Sequence, residues 1–219
     1  MSEKQSTLSL VIAAVIALIL GLGLGLYSDF DKPETNQAPE ISGVILPVAK
    51  KLADFSLQDH QGQIYSKQNL SGQWSVLFLG YTQCPDVCPA TLTMVKQAMS
   101  IIEKENQALL PQVVFVSVDP ERDSLEKLAE YVAYFNPVFK AVTGSDAELK
   151  KLALGLSVYY KKVPGMSGEE QGDDYLMDHS AALMMVNPDG DLQAFITGPH
   201  VAEKIAASII KVQEYYNNK

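Results

Sequence analysis

Trp74–Leu92 reads WSVLFLGYTQCPDVCPATL, and the fold turns on it. Residues 74–79 form a short, unbroken apolar run, the pattern of a central strand covered on both faces. Past Pro89 the apolar residues change period: Leu92, Val95, Met99 and Ile102 recur at spacings of three and four and draw one stripe along a helix ending near Asn106. Cys84 and Cys88, each followed by proline, lie at the junction of strand and helix. A helix N-terminus offers unpaired N–H groups and the positive end of the helix dipole, which lower a thiol's pKa and favour the thiolate.

The strand-then-helix pattern repeats downstream. Val113–Val118 (VVFVSV) is a second buried strand, and Leu125, Leu128, Ala129 and Val132 mark a helix beyond a turn at Asp119-Pro120. Phe139–Thr143 is a shorter strand. Ser145 followed by Glu148 has the form of a capping box, opening a helix with Leu149, Leu152 and Ala153 on one face. Val158–Lys161 reads as an extra strand and Pro164–Asp174 (PGMSGEEQGDD) as a Gly-rich acidic loop. Ala181–Val186 and Leu192–Ile196 bracket Asn187-Pro188-Asp189-Gly190, a hairpin turn, and Ile205, Ile209 and Val212 close the chain on an amphipathic helix. Upstream, Phe55–Leu57 and Ile64–Ser66 flank turn chemistry at Asp59–Gly62, so a small hairpin is expected there. These elements predict an α/β fold, a mixed sheet flanked by helices on both faces.

Ahead of that domain, Leu8–Leu26 (LSLVIAAVIALILGLGLGL) runs without a charge, and a helix of it is about 28 Å long, close to the hydrocarbon thickness of a bilayer. A cleaved signal peptide competes, but its apolar part is shorter and a small-x-small cleavage site is not evident. The expectation is a leader over 1–7, an uncleaved transmembrane anchor over 8–26, a polar, Pro-containing linker over 27–40 and a single domain over 41–219. The absence of cysteine just after the span gives no support to lipid attachment, and the leader lacks the arginines of an organelle transit peptide. The placement this implies is a single pass of a bacterial inner membrane, with the domain in the periplasm or at the outer face; the flanking charges say little about orientation.

The chain has 219 residues, 47% hydrophobic and 20% charged, enough to bury a real core. Seventeen Lys and Arg against 26 Asp and Glu leave a net charge of -9, with no basic run to neutralise phosphates, which argues against nucleic acid as a partner. Two cysteines are too few for a disulfide-stapled scaffold or for an all-thiolate zinc or iron-sulfur site.

A spacing of four puts both sulfurs on one face of a first helical turn, near enough to share a metal ion or to close a disulfide. Either use fits. Two soft thiolates select Cu(I) among biological metals, and a third ligand is then needed. Of the three histidines, His179 in Tyr175–Ala182 (YLMDHSAA) precedes the hairpin strand, a place that in a thioredoxin-like sheet faces the first helix's N-terminus. A Cys2His site suits copper in both oxidation states. Asp178 reads equally as a group orienting His179 and as an ordinary loop carboxylate. Asp119 reads equally as a site neighbour and as a turn residue. His60 and His200 are expected at the surface or at caps, and Met184 and Met185 as core filler.

The run GYTQCPDVCPATL, then SVDPERD at Ser117–Asp123, then DYLMDHSAALMMVNPDG at Asp174–Gly190, resembles the SCO (SenC) family of membrane-anchored copper proteins that assist cytochrome c oxidase assembly. The similarity extends from about Leu52 to the C-terminal helix. It implies a thioredoxin-like fold, one copper ion, Cu(I) or Cu(II), held by Cys84, Cys88 and His179, and delivery to the CuA centre of oxidase subunit II or to another copper or thiol protein. In some members the role is joined or replaced by reduction of that subunit's cysteines, which would use a Cys84–Cys88 disulfide. Gln83 stands where some members have histidine, so a further copper contact there is not available. Three classes are thus in play. A metallochaperone uses all three residues. A thiol:disulfide oxidoreductase is disfavoured by the four-residue spacing, since redox thioredoxins use Cys-x-x-Cys, and by the lack of proline in Met177–Ala182. A peroxidase of peroxiredoxin type would not need His179.

Overall fold

The computed structural model describes residues 14–21, 38–165 and 174–218. Residues 14–21 form a helix, α1, with exposed side chains. The other ends of the expected anchor, the leader at 1–7, most of the linker and residues 166–173 of the acidic loop lie outside the described residues. Among the described residues no helix is long and apolar enough to cross a membrane.

The second compact unit runs from Ala38 to Lys219. Its strands are β1 (Gly43–Lys50), β2 (Ser56–Asp59), β3 (Ile64–Ser66), β4 (Ser75–Gly80), β5 (Gln112–Ser117), β6 (Lys140–Thr143), β7 (Tyr160–Pro164), β8 (Tyr175–His179), β9 (Leu183–Val186) and β10 (Leu192–Ile196). Its helices are α2 (Val87–Asn106), α3 (Leu125–Phe135), α4 (Asp146–Gly155) and α5 (Ala202–Asn217). Eight strands make one sheet in the order β1-β10-β9-β4-β5-β6-β2-β3. The β4–β5 and β5–β6 pairs are parallel and the rest antiparallel, so the sheet is mixed, as expected. The β7–β8 hairpin stands apart as a sheet of two strands.

Every residue of β4 is buried, because the period-two alternation of a strand sends its side chains into two cores. Val76 and Phe78 join a cluster with Leu92 and Val95 of α2, Leu128 and Val132 of α3, and Ile205 and Ile209 of α5. Leu77 and Leu79 join a cluster on the other face with Leu149 and Leu152 of α4, Phe55, Leu57 and Tyr65. Met184 and Met185 divide between the two clusters and are core residues, as the sequence indicated. Truncating a fully buried aromatic such as Phe78 to alanine costs about 3–5 kcal/mol.

Several local expectations change. β1 carries no alternating pattern; it is an edge strand containing Pro47 with a register shift between Ile45 and Lys50, and Val44 and Val48 face solvent. The Ser145 hydroxyl accepts from the Glu148 N–H at 3.4 Å, but the Glu148 carboxylate accepts from the Ser56 N–H and the Lys151 ammonium rather than closing a capping box. His200 is half-buried, just ahead of α5, and its Nε2 donates to the Ala181 carbonyl at 2.8 Å. His60 Nδ1 accepts from the Ala141 N–H at 3.1 Å, beside the β2–β3 turn. Among the described residues the cis peptide bond is at Gly198-Pro199, and, as the sequence of Met177–Ala182 requires, no proline stands next to His179.

Candidate metal centre

The cysteine segment leaves β4 at Gly80 and enters α2 at Val87, at the carboxyl end of two parallel strands, where open α/β sheets place their sites. A Cβ on Gly80 would stand 2.8 Å from Cys88 Sγ and 2.6 Å from the Phe115 ring, so only glycine lets the helix seat its second cysteine against the strand. Cys88 lies in the first turn of α2 and is wholly buried. Cys84 sits before the helix, not within its first turn as the spacing alone suggested. A turn in which the Cys84 N–H donates to the Tyr81 carbonyl at 3.2 Å folds it back, so that the Cys88 N–H reaches Cys84 Sγ at 3.5 Å. Both are free thiols.

His179 is the last residue of β8, not part of a loop. Alternation along that strand sends Tyr175, Met177 and His179 inward while Leu176 and Asp178 face solvent, so Asp178 does not orient the imidazole. The orienting group is the Ser180 carbonyl, 3.2 Å from Nδ1. A carbonyl only accepts, so Nδ1 carries the proton and Nε2 keeps its lone pair, directed at Cys88 Sγ 3.5 Å away. The rings of Phe78 and Tyr81 stand edge-on to the imidazole at 6.0 and 6.1 Å. Donor atoms of Cys84, Cys88 and His179 all lie within 4.8 Å of one another.

The two thiols differ in character. Hydrogen bonding from the Cys88 thiol is the largest influence on Cys84 and holds it in the thiolate form, with a pKa down to about 4; the backbone N–H groups of Cys88 and Asp86 add to this against the cost of burial. The same hydrogen bond, together with burial, pushes Cys88 far above the ordinary thiol range. One proton is thus shared by the pair and resides on the inner sulfur.

Three residues that the sequence reading passed over buttress the centre. The Asp123 carboxylate accepts from the Thr82 N–H at 2.9 Å, the Thr82 hydroxyl at 2.5 Å and the Ser117 hydroxyl at 2.6 Å, tying the cysteine loop to the end of β5. Asp119 is buried and pairs with Arg122 and with the Tyr175 hydroxyl, which makes it a neighbour of the site rather than a turn residue alone. The signal for Arg122, Asp123 and Tyr175 is their place in SVDPERD and DYLMDH, since propensity and periodicity do not mark a buried polar network.

Comparison with known proteins agrees with this arrangement. The SCO1/SenC family model matches residues 46–214. Protein SCO2 homolog, mitochondrial, of Mus musculus is 35% identical over 198 residues, covering 89% of this chain and 76% of the mouse protein. The copper-bound structure of Arabidopsis thaliana ScoI superposes with a TM-score of 0.67 at 34% identity, over 74% of this chain and 98% of that one. Copper-bound Bradyrhizobium japonicum ScoI gives 0.63 at 32% identity, over 73% and 98%. With a family match that runs from within β1 into α5 and through both halves of the thiol–imidazole cluster, the chain belongs to the SCO1/SenC family.

Proposed function

We propose that this protein binds one copper ion through Cys84, Cys88 and His179 and serves cytochrome c oxidase assembly as a copper metallochaperone. The observation that carries the reading is the convergence of two sulfurs and an imidazole nitrogen within 4.8 Å, with the histidine's other nitrogen already committed to a carbonyl. That donor set fits copper: soft sulfurs favour Cu(I), and an imidazole with its tautomer fixed from behind extends the site to Cu(II). Family membership and the copper-bound relatives support the same metal. The ion is cargo on this reading, passed to the CuA centre of oxidase subunit II by exchange of thiolate ligands. Anchoring by residues 8–26 and a site at the outer face of a bacterial inner membrane complete the proposal, and rest on the uncharged span in the sequence.

A second reading has its own observation. An exposed-side thiolate at Cys84 with a protonated, buried Cys88 behind it is the arrangement of an attacking and a resolving thiol, so reduction of the subunit's cysteines uses the same pair. Copper content and Cu(I) affinity of the reduced full chain, beside Cys84→Ser and Cys88→Ser, decide between them. One tightly held copper per chain, with the Cu(I) affinity sharply reduced in either variant, is the outcome expected. No bound copper, with a readily reversible Cys84–Cys88 disulfide, would move the protein to the oxidoreductase class.

A further inference from the structure

Arg122 lies between the two segments that carry the halves of the metal centre and contacts both. Its Nη1 donates to the Tyr175 carbonyl at 2.9 Å, at the start of the strand that ends in His179, and reaches Gln83 Oε1, beside Cys84, at 3.5 Å. Its Nε donates to Asp119 Oδ2 at 2.6 Å, while Asp119 Oδ1 accepts the Tyr175 hydroxyl at 2.6 Å. The guanidinium carbon stands 3.5 Å from the centroid of the Tyr175 ring and 5.6 Å from that of Tyr81, whose edge meets the His179 imidazole. Asp119 and Tyr175 are fully buried and Arg122 nearly so. None of these contacts is to a thiol or to the imidazole itself.

The hairpin that carries His179 shares no ladder with the eight-stranded sheet that carries the cysteines. Backbone pairing constrains the imidazole only indirectly, through Leu183 of β9, four residues past His179 and paired with Phe78 of β4. The outer attachments of the hairpin, Lys162 to Glu121 and the Tyr160 hydroxyl to Asp146, are exposed, and such contacts contribute little. A buried ion pair, for its part, is a poor source of stability compared with apolar packing. What a guanidinium adds is fixed direction: a rigid planar fork that bonds in two directions in its plane and stacks on rings above and below.

We propose, on the reading that Cys84, Cys88 and His179 hold copper, that Arg122 is a positioning residue that fixes His179 over the cysteine pair and so controls the histidine's share in metal binding. Arg122→Met then leaves the two-thiolate Cu(I) stoichiometry intact and weakens Cu(II) binding by roughly 10–100-fold, the usual scale for a group that orients a ligand.

The test is a double-mutant cycle on the full chain in detergent, comparing wild type, Arg122→Met, His179→Ala and the double variant by Cu(II) affinity and by the nitrogen hyperfine signal of the Cu(II) spectrum. The expected result is that Arg122→Met loses affinity and hyperfine signal in the wild-type background and nothing further in the His179→Ala background. Equal loss in both backgrounds, or no loss in either, would overturn the proposal. Arg122→Lys keeps the charge without the fork and is expected to behave as Arg122→Met; full recovery would overturn the geometric role. Should Arg122→Met not fold, Tyr175→Phe removes only the hydroxyl bond to Asp119 and is expected to give a smaller loss that again disappears when His179 is alanine; an unchanged Cu(II) signal in Tyr175→Phe would count against it. A wild-type chain that binds no copper would refute the copper reading instead, and the positioning role is then read without metal, from the His179 imidazole NMR resonances, which shift in Arg122→Met if it holds and stay in place if it does not.

Discussion

Cys88 Sγ and His179 Nε2 lie 3.5 Å apart although 91 positions separate them in the chain. The inner thiol reaches that place on the first turn of α2, packed against glycine at the end of β4, and the imidazole reaches it on a hairpin outside the main sheet. Cys84, looping back from outside the helix, completes the group.

The unequal thiols predict unequal reactivity. In the reduced, metal-free protein Cys84 is a thiolate above about pH 4, whereas Cys88 is buried and keeps its proton. Iodoacetamide labelling followed by peptide mass spectrometry is expected to modify Cys84 rapidly at pH 6 and to spare Cys88 until the protein unfolds. Equal labelling of both, rising only near the ordinary thiol pKa of 9.0, would contradict the assignment.

Stability follows the same shared proton. Between about pH 4 and pH 9 the unfolded chain holds protons on both thiols and the folded chain on one, so the pair's contribution to stability grows as pH rises. It is lost as pH falls through about 4. Above pH 9 the sign reverses, because the unfolded chain releases the Cys88 proton that the folded chain retains. Denaturant midpoints of the reduced protein measured across this range, less those of a Cys84→Ser, Cys88→Ser double variant, should show a maximum near pH 9; a flat difference would show that the pair's proton is not linked to folding.

Gly80→Ala is expected to disturb the site more than its size suggests. The added methyl meets Cys88 Sγ and the Phe115 ring, both in the packed core, and overpacking of this kind costs about 1–3 kcal/mol. A lowered denaturant midpoint together with reduced Cu(I) affinity is the predicted result. Unchanged affinity in a folded variant would mean that the sulfur's position is not set by the strand.

Much of this architecture is legible in the sequence because the central strands and helices are local patterns under one constraint each. The run Trp74–Leu79 can only be a strand covered twice, and Leu92, Val95, Met99 and Ile102 can only face one core. The edge strand β1 was not legible, since exposed Val44 and Val48 and an internal Pro47 erase its alternation. Cys84, Cys88 and His179 were legible as residue types within a family-like motif. What holds them was legible only in part: Asp119 stood equally as a site neighbour and as a turn residue, whereas Arg122, Asp123 and Tyr175 are distant polar residues whose meaning appears only when the β5 end, the cysteine loop and the β8 strand come together.

Copper K-edge X-ray absorption of the Cu(I)-loaded full chain, beside Cys88→Ser and His179→Ala, tests the central claim most directly. Two sulfur and one nitrogen scatterers are predicted for the wild type, with one sulfur lost in Cys88→Ser and the nitrogen lost in His179→Ala. Copper bound through nitrogen and oxygen alone, or a scatterer set that neither substitution changes, would contradict the assignment of the metal centre to Cys84, Cys88 and His179.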